Sequence, residues 1–147
     1  MGKPFILVAE DDVDDKFLFK SVFEDDKNDL ELDFVDNGVE LLDYLHSIKT
    51  KKVTRHYPCL ILLDLNMPKM NGKEALKKIK EEPDYSKIPI VIFSTTKNEK
   101  EIKHCYDLGA DSYIVKPSSY SNFLKAIDSI KGYCANLFKI SNTPSVG

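Results

Sequence analysis

The stretch Cys59-Leu60-Ile61-Leu62-Leu63-Asp64-Leu65-Asn66-Met67-Pro68 carries an apolar run straight into a single carboxylate and then into a loop that ends on proline. A run this short and this apolar suits a strand covered on both faces, as in a parallel sheet. A carboxylate at the point where such a strand runs out is held rigidly and still reaches solvent. That placement suits a metal ligand or a nucleophile aimed at phosphorus. The rival reading of Asp64, an exposed carboxylate capping a helix start, is weakened by the apolar strand that leads directly into it.

The same pattern recurs outward from this stretch. Phe5–Ala9 ends in Glu10-Asp11-Asp12, and further runs lie at residues 32–35, 90–93 and 113–115. The run at 32–35 is more polar, which places it nearer an edge. Between the runs, apolar residues recur at helical spacing: Phe17, Leu18, Val22 and Phe23; Val39, Leu41, Leu42 and Leu45; Ala75, Leu76 and Ile79. A weaker set is Ile102, Tyr106 and Leu108, and a clear last one is Phe123, Leu124, Ile127 and Ile130. Gly38 and Gly72 fall at helix starts, Gly109 follows a helix, and Pro58 and Pro89 each open a strand. Alternating strands and helices predict an α/β domain, a doubly wound parallel sheet with right-handed crossovers. Residues 49–57 read as a polar loop and residues 141–147 as a disordered tail.

Composition narrows the function classes. The 147 residues suffice for one domain with a single core. A net charge of -3 gives no basic surface for nucleic acid. The lysines at 49, 51 and 52 and at 77, 78 and 80 have acidic residues among or close to them, as on a solvated face. No run approaches the roughly 20 apolar residues of a membrane span, and the N-terminus enters a strand without a leader pattern. Cys59, Cys105 and Cys134 have no CxxC spacing, and their odd number argues against a disulfide framework. They are expected as small apolar core fillers in a reducing cytoplasm. His46, His56 and His104 are dispersed and share no metal-ligand spacing.

Ligands of open α/β sheets bind beyond the carboxyl ends of the strands. Those ends carry Glu10-Asp11-Asp12, Asp64, Ser94-Thr95-Thr96 and Lys116-Pro117. Carboxylates, hydroxyls and an ammonium at one sheet edge form a set suited to handling phosphoryl groups. Asp11 and Asp64 would supply carboxylates to Mg2+, Asp64 would act as nucleophile, Lys116 would neutralise charge and Ser94 would donate a hydrogen bond. For Asp12, capping the helix that opens at Val13 is an equally good reading. Ser94 or Thr95, taken alone, could merely end a strand. Pro117 biases Lys116 toward an extended backbone, which aims its ammonium across the site.

These stretches resemble the receiver domains of two-component response regulators, of the chemotaxis response regulator type. The matching segments are Ile6-Leu7-Val8-Ala9-Glu10-Asp11-Asp12, Leu63-Asp64-Leu65-Asn66-Met67-Pro68-Lys69-Met70-Asn71-Gly72, Pro89-Ile90-Val91-Ile92-Phe93-Ser94-Thr95 and Gly109-Ala110-Asp111-Ser112-Tyr113-Ile114-Val115-Lys116-Pro117. More loosely, the loop at 49–57 and the Leu-Asn-Met-Pro wording are similar to stand-alone receivers of the cyanobacterial phytochrome response regulator type. The resemblance implies a flavodoxin-like sheet of strand order 2-1-3-4-5 with five helices. It implies Asp64 as phosphoacceptor, Asp11 and Asp64 as ligands of Mg2+, Asn66 as a ligand through its backbone carbonyl and Glu10 as one through water. It further implies Lys116 as the phosphoryl-contacting lysine, Ser94 as the switch hydroxyl and Tyr113 as the aromatic that turns inward when that hydroxyl moves. Two residues depart from the common pattern. Glu10 stands where many receivers carry Asp, and Thr95 is bulkier than the usual neighbour of the switch hydroxyl.

The function so implied is a stand-alone cytoplasmic response regulator that takes a phosphoryl group from a histidine kinase or a phosphotransfer protein. The receiver would span residues 4–134, with residues 135–147 a C-terminal extension and no output domain. Signalling would then run through protein contacts, a homodimer across the fourth helix, fifth strand and fifth helix being one form. Tyr120, Phe123, Tyr133 and Phe138 exceed what one helix face needs, which leaves a partner surface and extra core packing both open. Two other classes compete. An aspartyl-phosphate hydrolase needs a general acid two residues beyond the nucleophile, where this chain has the amide of Asn66. A phosphorylation-independent binding module would have no use for the intact set of Asp11, Asp64, Ser94 and Lys116.

Overall fold

The computed structural model describes residues 2–24 and 30–142, with side chains through residue 136. In chain order the elements are β1 (Phe5–Ala9), α1 (Val13–Glu24), β2 (Glu31–Val35), α2 (Gly38–Lys49), β3 (Leu60–Leu63), α3 (Gly72–Glu81), β4 (Ile90–Ser94), α4 (Glu99–Asp107), β5 (Ser112–Val115) and α5 (Tyr120–Asn142). The strands form one parallel sheet of order β2-β1-β3-β4-β5. This is the flavodoxin-like strand order that the resemblance implies, with the more polar β2 at an edge.

Side chains alternate across a strand, so the continuous apolar runs must feed two cores. Phe5, Leu7 and Ala9 of β1, Ile61 and Leu63 of β3 and Ile92 of β4 meet Leu41 and Leu45 of α2, Leu76 and Ile79 of α3 and Cys105 of α4. Ile6, Val8, Leu60, Leu62, Val91 and Phe93 point the other way, onto Phe19 of α1 and Phe123, Ile127 and Ile130 of α5. The helical phase of α1 differs from the apolar set read from the sequence. Phe19 is buried and meets Phe34, Phe93 and Phe123 edge-on, whereas Phe17 is 67% exposed. Two residues apart on a helix is a rotation of about 200°, so the sheet can take only one of this pair.

Local chemistry fixes the helix ends. Asn37, Asn71 and Asn98 each cap α2, α3 and α4, their side-chain oxygens accepting from the backbone N–H of Glu40, Glu74 and Glu101. After α4, Gly109 takes φ +109°, a conformation that L side chains rarely adopt. The polar loop at 49–57 is tied to the amino end of the sheet by Arg55. Its guanidinium stacks 3.5 Å from the Phe5 ring centre and donates to Asp33 at 3.1 Å and Glu31 at 3.2 Å. At the far edge of the sheet, the backbone N–H of Tyr113 in β5 donates to the Tyr106 hydroxyl of α4 at 3.1 Å.

Two sequence expectations are corrected. Cys59 and Cys134 are not separate core fillers. They form a disulfide that joins the segment before β3 to α5, with Cα atoms 6.7 Å apart. Cysteine spacing along a chain carries no signal for a pairing 75 residues apart, and only Cys105 remains free and buried. Second, α5 continues through Asn142, so Ser141 and Asn142 are helical, while residues 143–147 of the expected tail lie outside the described residues. On the loop-closure model a link across this separation contributes about 4 kcal/mol. Thorough reduction, or Cys134→Ala, should therefore lower the urea midpoint, and an unchanged midpoint would show that the link adds nothing.

Candidate functional site

Parallel pairing sets Ala9 beside Leu63, so the residues that follow each strand emerge together. The N–H of Asp64 donates to the Ala9 carbonyl at 3.1 Å, and that of Glu10 to the Val35 carbonyl at 3.0 Å. Lys116 is brought alongside by its own N–H, which donates to the Ser94 carbonyl at 2.8 Å. Its buried ammonium then reaches Glu10 at 2.5 Å, Asp15 at 2.7 Å and Asp64 at 3.1 Å. Three carboxylates thus converge on one lysine.

The neighbouring backbone completes the frame. Asp12 caps α1, its side chain accepting from the Asp15 N–H at 2.9 Å, and this leaves Asp11 exposed at the mouth. The Asn66 N–H lies 3.3 Å from an Asp64 oxygen. Gly72, the first residue of α3, donates to the Leu65 carbonyl at 3.0 Å, and a β-carbon there would overlap the Asp64 carbonyl oxygen and come within 2.8 Å of the Leu65 Cα. The glycine is needed because the start of α3 rests directly on the strand end that carries Asp64.

Glu10, Asp11, Asp12, Asp15, Asp64, Asn66, Thr95 and Lys116 all line one open cavity of roughly 550 Å³. Its charged lining is five carboxylates against one ammonium. Burial, reinforced by the charge of Asp64, pushes Glu10 up to about 8, against the lowering pull of its hydrogen bond to Lys116. Burial alone would lower Lys116, but the hydrogen bonds to Asp15 and Glu10 and the charge of Asp64 hold it above the usual lysine range. Glu10, Asp11 and Asp64 each offer a carboxylate oxygen, and those oxygens lie within 4.8 Å of one another. An all-oxygen set with uncompensated negative charge fits a hard divalent cation.

The other expected residues lie behind this wall rather than in it. Ser94 is fully buried, and its hydroxyl accepts from the Thr96 N–H at 3.3 Å. Tyr113 is half-buried, and its hydroxyl donates to the Thr96 carbonyl at 2.7 Å. Burial raises this phenol, with a hydrogen bond to Ser94 opposing the rise. The aromatic expected to turn inward on signalling is therefore already engaged with the β4–α4 loop. Sequence reasoning missed the contact of Asp15 with Lys116. The acidic run from Glu10 to Asp15 held the signal, but nothing in it shows which carboxylate a lysine 101 residues away will meet.

Two consequences can be measured. Gly72→Ala should displace Asp64 and lower the site's affinity for a divalent cation, read by calorimetry, even where the fold survives. Glu10 binds its proton more tightly when folded, so its contribution to stability is full below the ordinary carboxylate range and is lost as pH rises toward 8. Without divalent cation, wild type should lose about 2 kcal/mol relative to Glu10→Gln between pH 6 and 8 in urea melts.

Comparison with known proteins agrees with this geometry. Residues 6–128 match the model of the response regulator receiver domain. The chain is 32% identical over 128 residues to the response regulator Rcp1 of Synechocystis sp., covering 87% of this chain and 86% of that protein. A crystal structure of the Mn2+-bound form of Rcp1 is similar at a TM-score of 0.80, with 32% identity over 88% of this chain and 93% of that one. The phosphorylated cyanobacterial phytochrome response regulator RcpA is similar at a TM-score of 0.83, with 33% identity over 92% and 95%.

Proposed function

The chain belongs to the response regulator receiver domain family, the phosphoryl-receiving signalling partner of histidine kinases in two-component systems and not an enzyme in the ordinary sense; from that premise we propose that Asp64 is its phosphoacceptor. The observation that carries this reading is the convergence of Lys116, Glu10 and Asp64 at one pocket beside Asp11. A phosphohistidine of a histidine kinase or phosphotransfer protein is the donor. A carboxylate oxygen of Asp64 attacks phosphorus as the phosphorus–nitrogen bond breaks, and that electron pair returns to the donor's imidazole.

Asp11, Asp64, the backbone carbonyl of Asn66 and, through water, Glu10 would hold Mg2+, which when bound supplies positive charge against the incoming phosphoryl group. Lys116 serves as the second positive charge, contacting the transferred oxygens. No carboxylate stands two residues beyond Asp64, since Asn66 fills that place, so the chain has no acid there to turn the site into a hydrolase. The phosphoryl group is held on Asp64 until the aspartyl phosphate is lost by Mg2+-dependent self-dephosphorylation, with no turnover of outside phosphate esters.

Storage becomes signal through Ser94 and Tyr113. A new dianion on Asp64 draws the Ser94 hydroxyl, and both Ser94 and Tyr113 already bond to Thr96. The charge change thus tightens the β4–α4 loop and alters the face made by α4, β5 and α5. On this reading residues 4–134 are the receiver, and the signal passes through that face to another protein or to a second copy in the cytoplasm. Tyr106 and Tyr133, both about half exposed, flank that face. Among the described residues no helix is long and apolar enough to cross a membrane.

Incubated with phosphorylated histidine kinase and Mg2+, wild type should take up label and Asp64→Asn should take up none. Uptake by the variant at the wild-type rate would remove Asp64 from the role. In the wild type, beryllofluoride should shift the amide resonances of Ser94 and Tyr113, and unmoved resonances would favour a phosphorylation-independent binding module.

A further inference from the structure

Lys116 has a partner that takes no part in the candidate metal set. Its ammonium lies 2.7 Å from Asp15, as close as any normal charge-assisted hydrogen bond, while its other two partners, Glu10 and Asp64, belong to that set. Asp15 is largely buried at 19% exposure, and it sits in the first turn of α1, where its backbone N–H is fixed by Asp12. The carboxylate is thus placed by helix geometry and not by a flexible loop.

From this we propose that Asp15 is a positioning residue that holds Lys116 in the unphosphorylated site and competes with the phosphoryl group for it. The proposal rests on the reading of Asp64 as phosphoacceptor. A divalent cation and an ammonium cannot both sit close to Glu10 and Asp64 without repelling each other. Asp15 offers the lysine a counter-charge on the α1 side of the cavity. When Asp64 gains a dianionic group, Lys116 must leave Asp15 or divide its hydrogen bonds between the two. The depth of the Asp15 hold therefore sets how readily the phosphorylated state is reached, and it ties the first turn of α1 to events at Asp64.

Asp15→Asn keeps the shape and removes the charge. With saturating Mg2+, the half-saturating concentration of beryllofluoride, followed by the Thr96 amide resonance, should fall about five-fold. Asp12→Asn removes the same unit charge from the same cavity without a lysine contact, and it should produce less than half that change. The excess should vanish in a Lys116→Met background, as a double-mutant cycle requires. Asp15→Glu, which can still reach the ammonium, should restore wild-type affinity, and it decides the matter if Lys116→Met does not fold. Equal effects of Asp15→Asn and Asp12→Asn, or an excess that survives loss of the lysine, would overturn the proposal and leave Asp64 as phosphoacceptor untouched. A wild-type chain that ignores beryllofluoride would overturn both.

Discussion

Everything at the working end of this molecule answers to one electrostatic constraint: five carboxylates open onto a cavity that contains a single ammonium. Carboxylates at that density repel, and burial removes the water that would screen them. Lys116 is the fold's internal response. It lies 106 residues from Glu10 and 52 from Asp64, yet it touches both. Its contact set is satisfied without neutralising the site, so the pocket keeps an appetite for further positive charge and for groups that bring it.

That constraint explains why the architecture must be a parallel sheet with ordered strand ends. Antiparallel pairing would send β1 and β3 to opposite ends and separate Glu10 from Asp64. Parallel pairing in register delivers them side by side, and the crossover helices that parallel pairing demands cover both faces. The contact between Gly72 and the Asp64 carbonyl shows how little slack remains. A rigid frame is useful here, because a switch needs one moving part and a fixed reference.

Much of this was legible in the chain because strand ends are local features. A short apolar run followed by acid, hydroxyl or lysine announces both the strand and what it carries, and the strands from β1 to β5 lie where those runs lie. What escaped had no local signature. The choice of Phe19 over Phe17 depends on how α1 rotates onto Phe34, Phe93 and Phe123, which are distant in the chain. The Cys59–Cys134 link depends on α5 lying back across the start of β3. Asp15 read as one more acid in the first turn of a helix, and only the approach of Lys116 distinguishes it from Asp14. The seating of Tyr113 against Thr96 is likewise a tertiary fact that no residue spacing reports.

The Tyr106 hydroxyl that accepts the Tyr113 amide acts at the border of the sheet. An outer strand with free amides is a template on which a stray peptide, or another copy of the same protein, can lay down a further strand. Here such an addition would first have to dislodge a tyrosine anchored on α4. The β5 edge is therefore biased toward being read through its side chains and against being extended through its backbone, which separates recognition from aggregation at the place where the two would otherwise compete.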